Sequence, residues 1–340
     1  MKVAVFSTRK YDRVALGAAV GDDIELRFHE ARLLPETARL AEGCDAACIF
    51  VNDHADAEVI ATFAKLGVKG IVTRSAGFNQ IDLQAAERHG LPVLRVPAYS
   101  PHGVAEHALA LMMTLNRRTH RAYNRVREGN FSLEGLMGFE MHGKTVGVIG
   151  TGLIGASMCR ILVGMGCKVL AHDVRENDEL KGLGVRYGEL NDLLPRADIV
   201  TLHCPLLDVT RNLINAETLA RLPDHAMLIN TSRGGLVDTG AVYAALRSGR
   251  LGALGIDVYE EEDALFFEDR SHEGVTDELI ARLVALPNVL ITGHQAFFTQ
   301  EAVEKIAVVT AANLALIQDG VPDQHERRVR PKSSLPIGTC

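Results

Sequence analysis

The sequence predicts an α/β protein of two doubly wound, parallel-sheet domains, because short apolar runs alternate with helix-period segments along the whole chain. Its 340 residues are enough to bury two such cores. The apolar runs that fit strands fall into two sets, with Pro97 and Pro101 at the junction between them. The first set is residues 3–6, 24–28, 47–51, 70–73 and 93–96, and the second is 145–149, 168–172, 199–203, 227–230, 254–258 and 289–292.

Helical segments lie between these strands, as the crossovers of a parallel sheet require. Residues 55–66 and 83–89 are helical in pattern, and the second segment ends at Gly90, a residue that suits a helix C-terminus. Past Pro101, residues 104–128 predict one long helix that is apolar at first and basic later.

The end of the chain is expected to return to the first domain. Residues 301–318 predict a last helix that follows the second set of strands, so it would pack on the first domain and make that domain discontinuous. The tail from 322 to 340 is polar and basic without an amphipathic period, and we expect it to be mobile.

Charge argues against nucleic acid as a partner. The net charge is −7, which is a poor basis for sequence-independent binding to a polyanion. The single basic cluster lies on the predicted long helix, and we interpret it as a solvated or subunit-facing surface. Its members are Arg117, Arg118, Arg121, Arg125 and Arg127.

The six cysteines predict neither a disulfide framework nor a metal site. They form no C-x-x-C pair, no histidine pair has zinc spacing, and most of them lie in apolar runs, so we expect buried free thiols. The first six residues fit a short strand rather than a signal peptide, and apolar stretches such as 108–113 are too short to span a bilayer. We therefore expect a cytoplasmic protein without a membrane partner.

A glycine motif begins the second set of strands. The run 146–149 leads into G-x-G-x-x-G at Gly150, Gly152 and Gly155, in the order strand, turn, helix that a dinucleotide site requires. Gly150 would allow the turn, Gly152 the approach of a pyrophosphate to the backbone, and Gly155 the packing of the helix on the sheet. The N–H groups at the start of that helix would meet the phosphates.

The next strand ends on an acid, Asp173, which decides the expected cofactor. A carboxylate at this position accepts hydrogen bonds from both ribose hydroxyls and repels a 2′-phosphate, which favours NAD over NADP. Arg175, two residues later, is a cation that could instead meet a 2′-phosphate.

Three later strand ends carry groups suited to hydride transfer. Arg233 follows residues 227–230, the acids 260–262 follow 254–258, and His294 follows 289–292. The arginine would hold and polarise a carbonyl substrate, the histidine would exchange the proton, and a glutamate would orient the histidine and favour its imidazolium form. Taken singly, Arg233 also fits a surface salt bridge, the three acids a solvated turn, and His294 a buried structural histidine.

At this level of detail the sequence resembles the D-isomer-specific 2-hydroxyacid dehydrogenases, and most closely the bacterial fermentative D-lactate dehydrogenases. The likeness runs from Met1 to about Pro322. It rests on the stretches FSTRKYD, CIFVND, RSAGFNQIDL, VPAYSP, FSLEGL, GVIGTGLIG, HCPL, NTSRGGLVD, GIDVYEEE and TGHQAFFT. The resemblance implies two Rossmann- or flavodoxin-like domains with the active site in the cleft between them. These are a substrate domain of residues 1–100 plus 297–340 and an NAD-binding domain of residues 101–296.

The resemblance also assigns site residues. It implies Arg233, Glu262 and His294 as the catalytic groups, although local chemistry does not separate Glu262 from Glu260 and Glu261. It places the substrate against Ala76, Gly77, Tyr99 and Phe297, with Phe50 as a further wall. Beside the glycines and Asp173, it places NAD against Leu153, Ile154, Cys204, Pro205, Asn212, Thr231, Ser232, Arg233 and Asp257.

The implied activity is NADH-dependent reduction of pyruvate to D-lactate and its reverse. Hydroxypyruvate, glyoxylate and phenylpyruvate are alternative substrates, and an NADH-sensing binding protein similar to the C-terminal-binding-protein corepressors is an alternative of another class. The related formate dehydrogenases pair the histidine with glutamine, so an acid here disfavours that reaction. The long helix resembles the family's dimerisation element, which implies a homodimer or homotetramer.

Overall fold

The computed structural model describes residues 1–262 and 265–331, and the chain divides into two compact units. One is Met1–Ser100 together with the chain from Phe298 onward, and we call it the split unit. The other is Pro101–Phe297, the continuous unit, so its end lies one residue later than expected. Within the described residues, no helix is both long and apolar enough to cross a bilayer.

The secondary structure alternates between strands and helices. The strands are β1 (Lys2–Val5), β2 (Glu25–Phe28), β3 (Ala46–Ile49), β4 (Ile71–Thr73), β5 (Val93–Leu94), β6 (Thr145–Ile149), β7 (Lys168–His172), β8 (Arg186–Tyr187), β9 (Ile199–Leu202), β10 (Ala226–Asn230), β11 (Leu251–Ile256), β12 (Val289–Ile291) and β13 (Arg328–Val329). The α-helices are α1 (Lys10–Ala19), α2 (Ala57–Leu66), α3 (Leu83–Arg88), α4 (Pro101–Arg117), α5 (Thr119–Arg127), α6 (Leu153–Gly164), α7 (Asp178–Gly182), α8 (Leu190–Leu193), α9 (Ala216–Arg221), α10 (Thr239–Ser248), α11 (Glu278–Val284) and α12 (Gln300–Asp319).

The sheet of the split unit has the order β2-β1-β3-β4-β5-β13. Its first five strands are parallel and follow the flavodoxin-like order. The sixth, β13, is antiparallel and pairs Arg328 with Leu94 and Val329 with Val93. The expectation of a mobile tail is therefore wrong for residues 328–329, because strand pairing ties them to the sheet edge. The part of that expectation that concerns residues 332–340, with Cys340, lies outside the described residues.

Helix α12 completes the core of the split unit. Its residues Leu314 and Ile317 are buried in one cluster with Val3 and Val5 of β1. A Cβ at Gly70 would lie 2.2 Å from Cδ1 of Ile317, so the glycine before β4 makes room for this helix. The last helix of the chain thus packs on the first sheet because its apolar face fills the space that the sheet leaves.

The sheet of the continuous unit has the order β8-β7-β6-β9-β10-β11-β12, and all its strands are parallel. Counted from β6, this is the dinucleotide-binding order 3-2-1-4-5-6 with one more strand at the end. The direction of winding reverses between β6 and β9, which is where such sheets bind ligands. Strands β9 and β10 are buried throughout because helices cover both faces.

The predicted long helix is wrong in one respect, because it is two helices. Arg118, between α4 and α5, has a φ of +51°, a left-handed conformation that ends the α4 hydrogen-bond ladder. Its guanidinium donates a hydrogen bond to the carbonyl of Gly135, and Arg125 Nη1 donates to the Glu134 carbonyl at 2.6 Å. The break therefore coincides with arginines that hold the following loop.

Candidate active site

The glycine loop after β6 has the geometry of a phosphate site. Gly150 has a φ of +90°, and a Cβ there would lie 2.5 Å from the backbone nitrogen of Cys204. A Cβ at Gly155 would lie 1.9 Å from the Gly150 carbonyl oxygen, so only glycine lets α6 pack this closely. Gly152, which caps α6, has open space where its side chain would be. The backbone at the start of α6 is therefore accessible to an anion.

Asp173 binds the same loop directly. Its Oδ2 accepts hydrogen bonds from the Thr151 backbone N–H at 2.5 Å and from Thr151 Oγ1 at 3.1 Å, and its Oδ1 accepts one from the Arg175 N–H at 3.0 Å. Burial alone would raise the pKa of Asp173, but these hydrogen bonds outweigh it and the pKa is lowered from its ordinary value. The carboxylate stays ionised, which is the state that repels a 2′-phosphate.

On the opposite side of the switch point, the two titratable groups directly after β9 are uncharged at neutral pH. Burial lowers the pKa of His203 to about 4 and raises that of the Cys204 thiol to about 11. The Cys204 carbonyl accepts a hydrogen bond from Ser232 Oγ at 2.7 Å, which joins the loops after β9 and β10. Asp173 is therefore left as the charged group that faces this glycine loop in the described hydrogen-bond network.

The surroundings of the loop fit a dinucleotide. The Thr231 Oγ1 atom is buried and has no partner among the described residues, so it is a polar group available to a ligand. Leu153, directly after Gly152, is two-thirds exposed and gives the loop an apolar rim. The other residues of the predicted cofactor site are Ile154, which is half-buried, and Pro205 and Asn212, which are exposed.

Arg233 lies in the loop after β10, held by its backbone. Asn230 Nδ2 donates to the Arg233 carbonyl at 2.8 Å, and Arg233 Nη1 donates to the Ser232 carbonyl at 2.6 Å. A Cβ on Gly234 would lie 2.1 Å from the carbonyl carbon of Tyr259. The glycine after the arginine therefore lets this loop pack directly on the loop after β11, which carries the acids.

Of the three acids in the loop after β11, Glu262 is the one described in contact with His294. Glu262 Oε1 lies 2.8 Å from His294 Nδ1, and Glu262 Oε2 accepts a hydrogen bond from the Tyr259 N–H at 2.9 Å. Glu260 and Glu261 are exposed. Both partners of the pair are largely buried, with side-chain exposures of 16% for His294 and 18% for Glu262, so water screens the contact only weakly.

Asp257 fixes the position of the histidine loop. It is fully buried, its Oδ1 accepts from Thr292 Oγ1 at 2.5 Å and from the Gln295 N–H at 2.9 Å, and its Oδ2 accepts from the Ala296 N–H at 2.8 Å. Its carbonyl accepts from the His294 N–H at 2.8 Å. These bonds make Asp257 a brace between the ends of β11 and β12, and its role as a cofactor contact stays a prediction.

The split unit contributes a second candidate anion site after β4. The Ala76 carbonyl accepts from Arg95 Nη1 at 3.1 Å, and the Gly77 carbonyl accepts from Ser75 Oγ at 2.7 Å. Neither the Ala76 nor the Gly77 N–H donates a hydrogen bond to any described residue. Because the carbonyls are hydrogen-bonded and the N–H groups have no described acceptor, this turn presents backbone donors of the kind that bind anions.

The remaining predicted substrate contacts are placed within their own units. Tyr99 is half-buried in the split unit, and Phe50 is buried there. Phe297 is also buried, and it belongs to the continuous unit rather than to the substrate domain in which the sequence placed it.

Sequence reasoning missed the groups that support these loops. Arg74 is almost fully buried, and its Nη2 donates to the carbonyls of Phe6 and Ser7 at 3.0 and 3.3 Å. Its Nε lies 3.3 Å from Asp12 Oδ1. The available signal was an arginine directly after an apolar strand, but Phe6, Ser7 and Asp12 lie more than 60 positions away in the sequence, so local patterns do not reveal them.

A doubly wound sheet with a glycine loop at its switch point and an acid–histidine pair at the same edge defines a dinucleotide-dependent dehydrogenase. Comparison with known proteins narrows the class. The model of the NAD-binding domain of the D-isomer specific 2-hydroxyacid dehydrogenases matches residues 109–296. The chain belongs to this family of NAD-dependent oxidoreductases, which act on the CH–OH group of their donors.

Similar proteins include the D-lactate dehydrogenase of Escherichia coli, which is 49% identical over 94% of this chain and 98% of its own length. The apo structure of the E. coli enzyme superposes with a TM-score of 0.88 at 46% identity, covering 97% of this chain and all of that one. A structure described as the pyruvate reductase of Chlamydomonas reinhardtii also gives a TM-score of 0.88, at 47% identity over 94% of this chain and 97% of that one.

Replacing Asp173 by Ser is expected to weaken NADH binding and to improve NADPH relative to it. The change removes the charge that repels the 2′-phosphate and the acceptor for the ribose hydroxyls, together worth about 1–3 kcal/mol, or roughly 5- to 150-fold in the preference ratio. Steady-state KM values for both cofactors measure this ratio. Asp178→Ser, which removes an exposed acid of the same unit, is the matched control. An unchanged ratio in Asp173→Ser would remove Asp173 from the cofactor site.

Proposed function

We propose that this protein is an NAD-dependent D-lactate dehydrogenase that reduces pyruvate to D-lactate and catalyses the reverse oxidation. The observation that carries the proposal is the 2.8 Å contact between His294 Nδ1 and Glu262 Oε1 at the sheet edge that also carries Arg233 and the glycine loop. The similarity to enzymes described as D-lactate dehydrogenase and as pyruvate reductase supports the choice of substrate.

Arg233 would bind and polarise the substrate. A guanidinium offers five donors in a planar fork, and the described contact to the Ser232 carbonyl uses Nη1. The remaining donors suit a carboxylate and a neighbouring ketone oxygen, which present acceptors in one plane. Polarising the ketone draws electron density from the carbon that receives hydride.

His294 would carry the proton. Bound NADH supplies the hydride, and the ketone oxygen that becomes an alkoxide needs one proton, which the imidazolium of His294 donates. In the reverse direction, the neutral imidazole accepts the hydroxyl proton. Because Nδ1 contacts Glu262, the nitrogen left for this exchange is Nε2. Glu262 holds the ring and stabilises the imidazolium by its charge.

The turn at Ala76 and Gly77 offers two N–H groups to a carboxylate. We accordingly propose the split unit as the substrate domain and the continuous unit as the NAD-binding domain. Tyr99 and Phe50 of the split unit, and Phe297 of the continuous unit, are the aromatic side chains that we propose as further substrate contacts.

The proposal is tested by the loss of NADH absorbance on mixing with pyruvate, and with glyoxylate, hydroxypyruvate and phenylpyruvate. Fastest turnover of pyruvate, together with oxidation of D-lactate but not of L-lactate, is the expected result. Faster turnover of another 2-keto acid would reassign the substrate within the family. Tight NADH binding without turnover of any of them would point to a binding protein of the corepressor type.

We further propose that the enzyme is a cytoplasmic homodimer or homotetramer. Phe131, Leu133 and Met137 are each three-quarters or more exposed in the segment that follows α5, beside its arginines. A run of large apolar side chains in water is typical of a surface that a second subunit covers. The five described cysteines are all free thiols, which fits a reducing compartment.

A further inference from the structure

We propose that Phe267 is a positioning residue for the proton-transfer histidine, with its ring packed against the imidazole of His294. The inference rests on the proposed function for its catalytic consequence, while the contact itself can be tested without turnover. Phe267 lies in the segment between β11 and α11, outside every motif in the sequence that predicted the site.

The two rings form an aromatic pair. Their centroids are 5.6 Å apart, and their planes are inclined at 37°. Offset and tilted pairs at this separation are favourable contacts beyond the apolar area that they bury. The pair therefore covers one side of the imidazole, while Glu262 holds its Nδ1 edge at 2.8 Å.

The backbone at both residues supports a maintained contact. Phe267 has a φ of +67° and His294 a φ of +52°, both in the left-handed region that side chains other than glycine rarely adopt. Such conformations persist where the surrounding structure determines them, and they cluster at functional sites. Here the two strained residues are the two whose rings meet.

The segment around Phe267 is hydrogen-bonded to Glu262, the acid that contacts His294. The backbone N–H groups of Leu265 and Phe266 both donate to the Glu262 carbonyl, at 3.0 and 2.8 Å. Phe266 is buried in the core of the continuous unit, and this burial anchors the segment. Phe266 therefore anchors the turn, and Phe267, the next residue, meets the histidine ring.

The far end of the segment is also fixed. Tyr259 Oη donates to Asp277 Oδ2 at 2.9 Å, and Asp277 Oδ1 accepts from the N–H groups of Leu279 and Ile280 at the start of α11. Tyr259 and Asp277, which flank the segment, are therefore joined to each other and to the start of α11. A ring packed 5.6 Å from the imidazole would limit its rotation and shield one of its faces from water.

The test compares Phe267→Leu, Phe267→Tyr and the control Tyr123→Leu, which removes an exposed ring on α5 of the same unit. Ethoxyformylation of His294 by diethyl pyrocarbonate, followed by mass spectrometry on the peptide that contains it, reports how exposed the imidazole is. We expect the reaction to be roughly threefold to tenfold faster in Phe267→Leu, and close to wild type in Phe267→Tyr and Tyr123→Leu. The kcat for pyruvate should fall by a similar factor in Phe267→Leu, with the KM for NADH unchanged.

A Phe267→Leu variant whose His294 reacts at the wild-type rate overturns the proposal, whatever its kcat. Phe267→Gly also removes the ring and accommodates the positive φ, so it decides the question if the leucine variant does not fold. Absence of turnover of any 2-keto acid by the wild-type protein would refute the proposed function instead, and the modification rates would still show whether Phe267 shields the histidine.

Discussion

Replacing Arg233 by Lys is expected to lower kcat/KM for pyruvate by roughly 10- to 100-fold, because charge-assisted hydrogen bonds of the lost fork are each worth about 1.5–3 kcal/mol. The lysine keeps the positive charge but presents three donors around one atom rather than a planar set. The ketone and the carboxylate can then no longer be held together, so KM should rise and kcat should fall.

The structure indicates that this effect stays local. The position of residue 233 depends on backbone contacts, namely Asn230 Nδ2 to its carbonyl and the close packing of Gly234 on Tyr259, and a lysine leaves these intact. The KM for NADH should therefore change much less than that for pyruvate. Steady-state kinetics with each substrate varied in turn separate the two effects.

Arg247→Lys is the matched control, because Arg247 is an exposed arginine on α10 of the same unit. Its kinetics should equal those of the wild type. If Arg233→Lys also behaved as the wild type does, another residue would hold the substrate, and Arg233 would have only a structural role in the loop after β10.

Replacing Glu262 by Gln is expected to lower kcat/KM for pyruvate by roughly 10- to 100-fold. The carboxylate lies 2.8 Å from His294 Nδ1, and a hydrogen bond with a charged partner is worth about 1.5–3 kcal/mol. In the variant the ring is held less firmly, and no opposite charge lies beside it when it hands its proton to the ketone oxygen.

Lactate oxidation should be slowed as well, because the same imidazole takes up the proton in that direction. Glutamine retains a carbonyl oxygen that accepts a hydrogen bond, so the ring orientation is largely kept and the loss reports mainly the missing charge. Steady-state kcat/KM in both directions measures the effect, and an unchanged KM for NADH shows that cofactor binding is intact.

Glu261→Gln removes the same charge from an exposed neighbouring position and is the matched control. Its rates in both directions should equal those of the wild type. Wild-type rates in Glu262→Gln would contradict the assignment of Glu262, and a loss of rate in Glu261→Gln would transfer the assignment to that residue.

The sequence alone determined the parts of this protein whose chemistry is local. The roles of Gly150, Gly152 and Gly155 follow from their order between a strand and a helix, and the turn requires those glycines for steric reasons that hold in any such fold. Two parallel sheets could likewise be predicted, since each buried strand is an apolar run of its own. The return of α12 could be predicted because the second sheet was already complete.

Contacts between distant segments were decided only by the tertiary structure. Glu262 meets His294 because the loops after β11 and β12 lie side by side, and three consecutive acids look alike in the sequence before those loops are placed. The break at Arg118 depends on a loop 17 positions away, and β13 forms because β5 leaves an unpaired edge.

The residues that support the site were also placed only by the tertiary structure. Arg74 reaches Asp12, and Phe267 reaches His294, across separations at which sequence periodicity carries no information. Local patterns specify which face of an element is apolar and where a turn is allowed, because those depend on neighbouring residues. Which buried polar groups and rings meet depends on how the elements pack, and that is determined by the whole chain at once.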